Sequence, residues 1–429
     1  MTHKKYRFNT LALHAGQQPE ETTLSRGVPV YRTSSYVFKD TTHAANLFAL
    51  KELGNIYTRI MNPTQQVLEE RMAALENGAA ALALSSGTSA IFYSIINICS
   101  HGDEVASSRQ LYGGTYTMFN DILPQFNIKV RFFDPGKPES LNKAINEKTR
   151  AVFTETIGNP KVDFADISRL AEISHQHQLP LIVDSTFTTP YLLRPIDHGA
   201  DIVVHSLTKW IGGHGTGIGG IVVDSGKFDW NQEKFQLYTQ PDTSYHSIRF
   251  ATDLGDLNPL AFILRMRLVP LRNLGACISP DNAWLFLQGL ETLPLRMERH
   301  CQNALAVAEY LKNHPGVTWV RYPGLPDDPA YPVASRYLSK GFGSVVVFGV
   351  KGGRSAGENL INSVRLFSHL ANVGDAKSLL LHPASTTHSQ VPEKELESAG
   401  ITSDMIRLSV GIEDIDDIIE DLDYALSKI

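Results

Sequence analysis

Between Ala80 and Ser225 the chain passes through a series of short apolar segments: AALALSS, DEVASS, IKVRFF, RAVFTET, LPLIVDS, DIVVHS and GGIVVDS. Several are rich in Val and Ile, and helix-like stretches such as FADISRLAEISHQHQ separate some of them. Strands that are apolar throughout, rather than in alternation, must be covered on both faces. That requirement predicts an α/β domain around a mostly parallel sheet with helices on both sides. Several segments end in polar residues: Ser85-Ser86, Glu155, Asp184-Ser185 and Ser206. Ligands of open α/β sheets bind at the carboxyl ends of the strands, so chemistry is expected there.

The first segment lies in a stretch without charge, Gly78 to Gly102. A membrane span needs about 20 predominantly apolar residues, but Ser85, Ser86, Gly87, Thr88 and Ser89 occupy the middle of this one. It reads as strand, polar turn and helix. The N-terminal MTHKKYRFNTLALHAG has too short an apolar region for a secretory signal. A net charge of −6, from 39 basic and 45 acidic residues, argues against nucleic acid or membrane surfaces as partners. Cys99, Cys277 and Cys301 form no CxxC pair, which fits a reducing, cytoplasmic setting. The 15 histidines include no HExxH, and no metal site is expected.

Residues 1–64 carry little periodicity and read as an arm that is either flexible or held by packing on something else, such as a neighbouring subunit. An α/β ligand-binding domain is expected over 65–287, with an aromatic, aperiodic insertion at about 228–275. A smaller α+β domain follows over 288–429. In PTQQVLEERMAALEN the spacing predicts a helix with Val67, Leu68, Met72 and Leu75 inward and Glu69, Glu70 and Arg71 facing out. A long helix is predicted from Pro280, with a kink at Pro294. The closing helix carries an apolar stripe of Ile412, Ile415, Ile419, Leu422 and Leu426, and seven acids from Glu413 to Asp423 as its solvated face.

The strongest local motif is His205-Ser206-Leu207-Thr208-Lys209. A lysine delivered by an apolar strand is either a surface residue of a strand-end loop or desolvated, and desolvation lowers its pKa and makes its amine a nucleophile toward an aldehyde. Ser206 and Thr208 are small donors suited to phosphate. Asp184 ends the preceding strand, 25 residues before Lys209; it suits either a protonated pyridine nitrogen or a helix N-cap. Ser85-Ser86-Gly87-Thr88 suits an anion at a helix N-terminus. Together they make a set for the phosphate, ring and aldehyde of pyridoxal phosphate. Gly215-Thr216-Gly217-Ile218-Gly219-Gly220 matches G-x-G-x-x-G, but it precedes a strand rather than following one, so a dinucleotide site is not expected.

These residues carry a resemblance to the Cys/Met-metabolism (trans-sulfuration) family of fold-type I pyridoxal phosphate enzymes. The matches are Tyr57-Thr58-Arg59, Ser86-Gly87, Leu111-Tyr112-Gly113-Gly114-Thr115, Asn159-Pro160, Val183-Asp184-Ser185-Thr186-Phe187, Ser206-Leu207-Thr208-Lys209 and Arg407-Leu408-Ser409-Val410-Gly411. Gly212-Gly213-His214-Gly215-Thr216, the loop His382 to His388 and the Phe228–Gly275 insertion resemble the O-acetylhomoserine sulfhydrylase branch. Gly114 stands where methionine γ-lyases have cysteine. Thr88, Ser89 and Ser185 depart from the family's usual residues.

The resemblance implies a pyridoxal 5'-phosphate cofactor attached through Lys209, with Asp184 on the ring nitrogen and Tyr112 stacked on the ring. Asn159 is implied at the ring hydroxyl and Thr186 at the ring face. Ser86, Gly87, Thr88, Ser206 and Thr208 are implied around the phosphate, with Tyr57 and Arg59 reaching it from a neighbouring subunit. The substrate falls to Arg407 and Ser385, with Tyr112 and Asn159. The reaction implied is γ-replacement, in which acetate leaves O-acetyl-L-homoserine and sulfide or methanethiol adds. A γ-lyase or an O-succinylhomoserine-using synthase is the alternative within the family. A cytoplasmic homotetramer, a dimer of dimers, is the implied assembly.

Overall fold

The structure is a computed structural model that describes residues 6–386 and 401–429. The apolar segments form seven strands: β1 (Ala80–Leu84), β2 (Glu104–Ser108), β3 (Lys129–Phe133), β4 (Thr149–Glu155), β5 (Leu181–Asp184), β6 (Ile202–Ser206) and β7 (Gly220–Asp224). They make one sheet in the order β1-β7-β6-β5-β4-β2-β3, parallel from β6 to β3. Only β7 runs against its neighbours, β1 and β6.

Both sheet faces are buried, as continuous apolar strands require. Val183, Val203, Ile221 and Val223 pack with Leu68, Met72, Leu287 and Leu290 on one side. Ile182, Ile202, Val204 and Val222 pack with Ile91, Ile95, Trp230 and Phe262 on the other. The insertion is therefore part of the core. Its Trp230 stacks on Tyr238 at 4.5 Å and on Phe262 at 5.3 Å, and Arg265 donates to Asn97 Oδ1 at 2.9 Å.

Asn62 caps the helix Pro63–Glu76, and Asn77, left-handed at φ 61°, ends it. Glu70 is exposed, but Glu69 and Arg71 are buried, contrary to the amphipathic reading. The helix lies between the sheet and two further helices, Phe8–His14 and Pro280–Asn313, so its polar residues are paired inside. Glu69 accepts the Ala83 N–H at 2.9 Å and pairs with Arg267 at 2.5 Å. Arg71 donates to Ala15 O at 3.0 Å. Glu76 meets His205 at 2.6 Å, both fully buried.

The Phe8–His14 helix packs Phe8 and Ala12 onto its own chain, while Leu13 on its other face is 42% exposed. Farther along, Val37 is 97% exposed. The long helix Pro280–Asn313 runs through Pro294 unbroken. It leads into a second sheet of β8 (Val317–Arg321), β9 (Val345–Val350), β10 (Ser368–His369), β11 (Leu379–Leu381) and β12 (Met405–Ser409), in the order β10-β11-β12-β9-β8.

The closing helix Ile415–Leu426 buries Ile418, Leu422, Ala425 and Leu426, while Ile412, Ile415 and Ile419 are half-buried. Asp421 is not solvated as expected: its carboxylate accepts the N–H groups of Arg365 and Leu366 at 2.9 Å. No helix among the described residues is long and apolar enough to cross a membrane.

Candidate active site

The carboxyl ends of β4, β5 and β6 and the start of the helix Gly87–Ile96 converge with β12. After β6 the chain turns sharply. Leu207 N–H donates to Gly219 O at 2.9 Å, Gly212 N–H to Leu207 O at 2.8 Å and Gly213 N–H to Lys209 O at 2.7 Å. Gly213 sits at φ 72°, and a Cβ there would lie 2.1 Å from Arg296. Arg296 donates to the carbonyls of Trp210 (2.6 Å), Ile211 (3.1 Å) and Gly289 (2.7 Å). The loop carrying Lys209 is thus fixed by its own backbone and by one buried guanidinium.

Lys209 Nζ donates to Asn372 Oδ1 at 2.5 Å. Burial, and secondarily the Arg407 charge, push the amine down to about 8.

Ser86 caps the Gly87–Ile96 helix, its hydroxyl accepting Ser89 N–H at 3.0 Å. A helix cannot satisfy its own first-turn N–H groups, and no acidic side chain occupies this first turn. Only glycine fits at 87, where a Cβ would meet Ser206 Cβ at 2.7 Å. The first residue of this helix is therefore packed directly against Ser206. Thr208 Oγ1 accepts Gly219 N–H at 3.1 Å, beside the same cradle.

Asp184 Oδ1 accepts Thr186 N–H at 2.9 Å, and Thr186 Oγ1 accepts Ser206 N–H at 2.9 Å, tying β5 to β6. Asp184 keeps part of its surface open, yet burial raises its pKa, against the lowering effect of the Thr186 hydrogen bonds and the His205 charge. Glu155 lies opposite Asp184 in register. Burial and the Asp184 charge hold it well above the usual carboxylate range, and its Oε1 accepts Tyr112 N–H at 2.7 Å. Tyr112 is half exposed and folds back over Gly114, where a Cβ would lie 2.6 Å from its Cε1.

Arg407 donates from Nη1 to Asn159 Oδ1 at 3.1 Å and from Nη2 to Asn372 O at 3.4 Å. It has no carboxylate partner among the described residues, and burial pushes it down to about 10.

The Ser385 hydroxyl bonds His382 Nδ1 at 2.7 Å, in a turn that follows β11, whose Leu381 pairs with Arg407. Tyr57 and Arg59 have no hydrogen bond to the Lys209 cluster; Arg59 stacks over Tyr57 at 5.1 Å, its buried Nε without an acceptor. Thr387 and His388 of the expected loop lie outside the described residues. Asn372 and Arg296 are site residues that sequence reasoning missed, because neither stands in a motif or at a strand end.

The arrangement fits pyridoxal phosphate. Lys209 offers an amine of lowered proton affinity for the aldehyde, Asp184 a carboxylate for the ring nitrogen, and the Gly87 turn an anion cradle without a competing acid. No cluster of metal-ligating side chains is present among the described residues.

Comparison with known proteins agrees. The family model of the Cys/Met metabolism PLP-dependent enzymes matches residues 9–427. An O-acetyl-L-homoserine sulfhydrylase of Leptospira meyeri is 54% identical, covering 99% of this chain and 98% of its own. A homocysteine synthase of Schizosaccharomyces pombe is 51% identical, with 98% of each chain covered. A crystal structure from Campylobacter jejuni, described as an O-acetylhomoserine (thiol)-lyase carrying a pyridoxyl-lysine phosphate, superposes with a TM-score of 0.94 at 42% identity. It covers 98% of this chain and 100% of its own.

Proposed function

The chain belongs to the Cys/Met metabolism PLP-dependent enzymes, and on that premise we propose that it is an O-acetyl-L-homoserine sulfhydrylase. It replaces the acetate of O-acetyl-L-homoserine by sulfide or methanethiol, giving L-homocysteine or L-methionine. Identity of 54% and 51% over nearly the full length to a sulfhydrylase and a homocysteine synthase supports the substrate class. The observation that carries the chemistry is the Lys209 amine bonded to Asn372, the same residue whose backbone carbonyl accepts from the Arg407 guanidinium.

When bound, pyridoxal phosphate supplies an aldehyde for covalent attachment and a ring that accepts the electron pair left by a departing proton. Lys209 is its attachment point and, once free, the base that moves protons at Cα and Cβ of the substrate. Asp184 holds the proton on the ring nitrogen. Gly87 and Thr88 N–H groups, with the hydroxyls of Ser86, Ser206 and Thr208, bind the phosphate. Asn159, its Oδ1 engaged by Arg407, offers its amide N–H to the ring hydroxyl, and Thr186 supports the ring face. Tyr112 covers the ring, held by Glu155. Arg407 binds the substrate carboxylate as a two-pronged donor, with the backbone at Ser385.

Arg59 lacks an ion pair among the described residues, which supports its use, with Tyr57, at the phosphate of a neighbouring copy. The reading includes a homotetramer built as a dimer of dimers, working in the cytoplasm. The test is product analysis of purified protein. Homocysteine and acetate are expected from O-acetyl-L-homoserine with sulfide, faster than homocysteine from O-succinyl-L-homoserine. Dominant 2-oxobutyrate with sulfide present, or preference for the succinyl ester, contradicts the reading.

A further inference from the structure

Both cations of the site meet at one uncharged residue. Asn372 accepts Lys209 Nζ on its side-chain oxygen at 2.5 Å and Arg407 Nη2 on its backbone carbonyl at 3.4 Å. Asn372 lies between β10 and β11, in a segment pinned at two further points. Gly374 N–H donates to Ser409 Oγ at 2.8 Å, and Ala376 N–H donates to Gly213 O at 2.8 Å. The first anchor is on β12, which carries Arg407, and the second is on the loop that carries Lys209. The acceptor is therefore fixed relative to both cations, while the lysine, on a flexible four-carbon stem, comes to it.

An amide oxygen accepts from an amine in either protonation state and cannot take its proton. It directs the amine without neutralising it as a base. A carboxylate in the same place would form an ion pair and favour the protonated amine. The sulfhydrylase reading needs a lysine that leaves the cofactor when substrate arrives and is then aimed at the substrate's α-carbon.

We propose that Asn372 is a positioning residue that parks the Lys209 amine whenever it is free of the cofactor, in fixed relation to the carboxylate-binding Arg407. The proposal rests on the PLP-dependent reading above. In the step it serves, the substrate Cα–H bond breaks, its proton passes to Lys209 Nζ, and its electron pair stays with the substrate–cofactor system.

Two measurements test it. The first reads the free amine directly, in full-length protein stripped of cofactor, as the pH dependence of Lys209 reductive methylation measured by peptide mass spectrometry. Asn372→Asp is expected to move the midpoint upward by about one pH unit or more. An unchanged midpoint overturns the tether.

The second uses holoenzyme and the exchange of the α-proton of L-methionine with deuterium from solvent, which needs neither ester nor sulfide. Asn372→Ala is expected to keep the visible cofactor absorbance of the wild type and to exchange at least about 10-fold more slowly. Exchange within twofold of wild type overturns the proposal. So does loss of the absorbance, which would assign Asn372 to cofactor retention. If both variants behave as expected while the wild type makes no homocysteine from O-acetyl-L-homoserine, the tether stands and the sulfhydrylase reading fails.

Discussion

Burial acts on Lys209 and Asp184 in opposite senses. It drives the lysine toward the neutral amine that attacks an aldehyde, and it opposes the aspartate charge that a ring nitrogen needs. Thr186 and His205 counter that effect at Asp184, and a protonated ring beside it would complete the correction. Asp184→Asn is therefore expected to lower kcat by about 10²–10³-fold while leaving thermal melting of the protein nearly unchanged; steady-state kinetics and a melting curve check both halves. Gly114 makes a separate claim, because the Tyr112 ring occupies the space of a Cβ there. Gly114→Ala must displace the ring, and kcat/KM should fall by about 10- to 100-fold with cofactor content preserved; unchanged kinetics would show that the ring position is irrelevant. Lys209, Asp184 and Gly87 were readable as candidates in the sequence because each stands at or just beyond a strand end inside a contiguous motif. Asn372 was not, since it joins Lys209 across 163 residues from a loop without period.

Among the elements, the loop between β6 and β7 is the one whose rigidity the site depends on. Arg296→Met removes the donors to three backbone carbonyls, Trp210, Ile211 and Gly289. The change should cost about 2–4 kcal/mol, seen as a lower melting temperature and faster loss of cofactor on dialysis. At the far end of β7, Asp224 is buried with Oδ2 unpartnered, and burial pushes it up to about 7. Its folded pKa lies above the unfolded value of 3.8, so the native state binds the extra proton and loses stability as pH rises between those values. Relative to wild type, Asp224→Asn should gain roughly 2–4 kcal/mol between pH 4 and pH 8, with the gain flat above that. Melting both proteins across that range checks the sign; a gap that does not grow with pH contradicts it. The strand pattern was readable because parallel strands are apolar on both faces. The burial of Glu69 and Arg71 was not, because a helix enclosed on several sides hides charges by pairing them, and the partners Ala83, Arg267 and Ala15 lie outside its own sequence.

At the scale of the whole molecule, the fold brings Gly87, Ser206, Lys209 and Arg407 to one end of the sheet, but a single chain leaves Arg59 stacked on Tyr57 and without an ion pair among the described residues. If sites are shared between copies, Arg59→Ala and Lys209→Ala chains are each inactive alone, and unfolding and refolding them together should restore about a quarter of the sites. No recovery would place both residues in one chain's site. The insertion at 228–275 was legible as a break in rhythm, but its place in the core was not, because aromatic contacts such as Trp230 with Phe262 carry no spacing that a linear reading detects. On the function proposed above, the Lys209 amine just beyond β6 is the attachment point of pyridoxal phosphate. Reducing the holoenzyme with borohydride and mapping the pyridoxyl-labelled peptide tests it most directly. Bleaching of the visible band and a single label on Lys209 are expected; a label on another lysine, or none in active enzyme, would overturn the assignment.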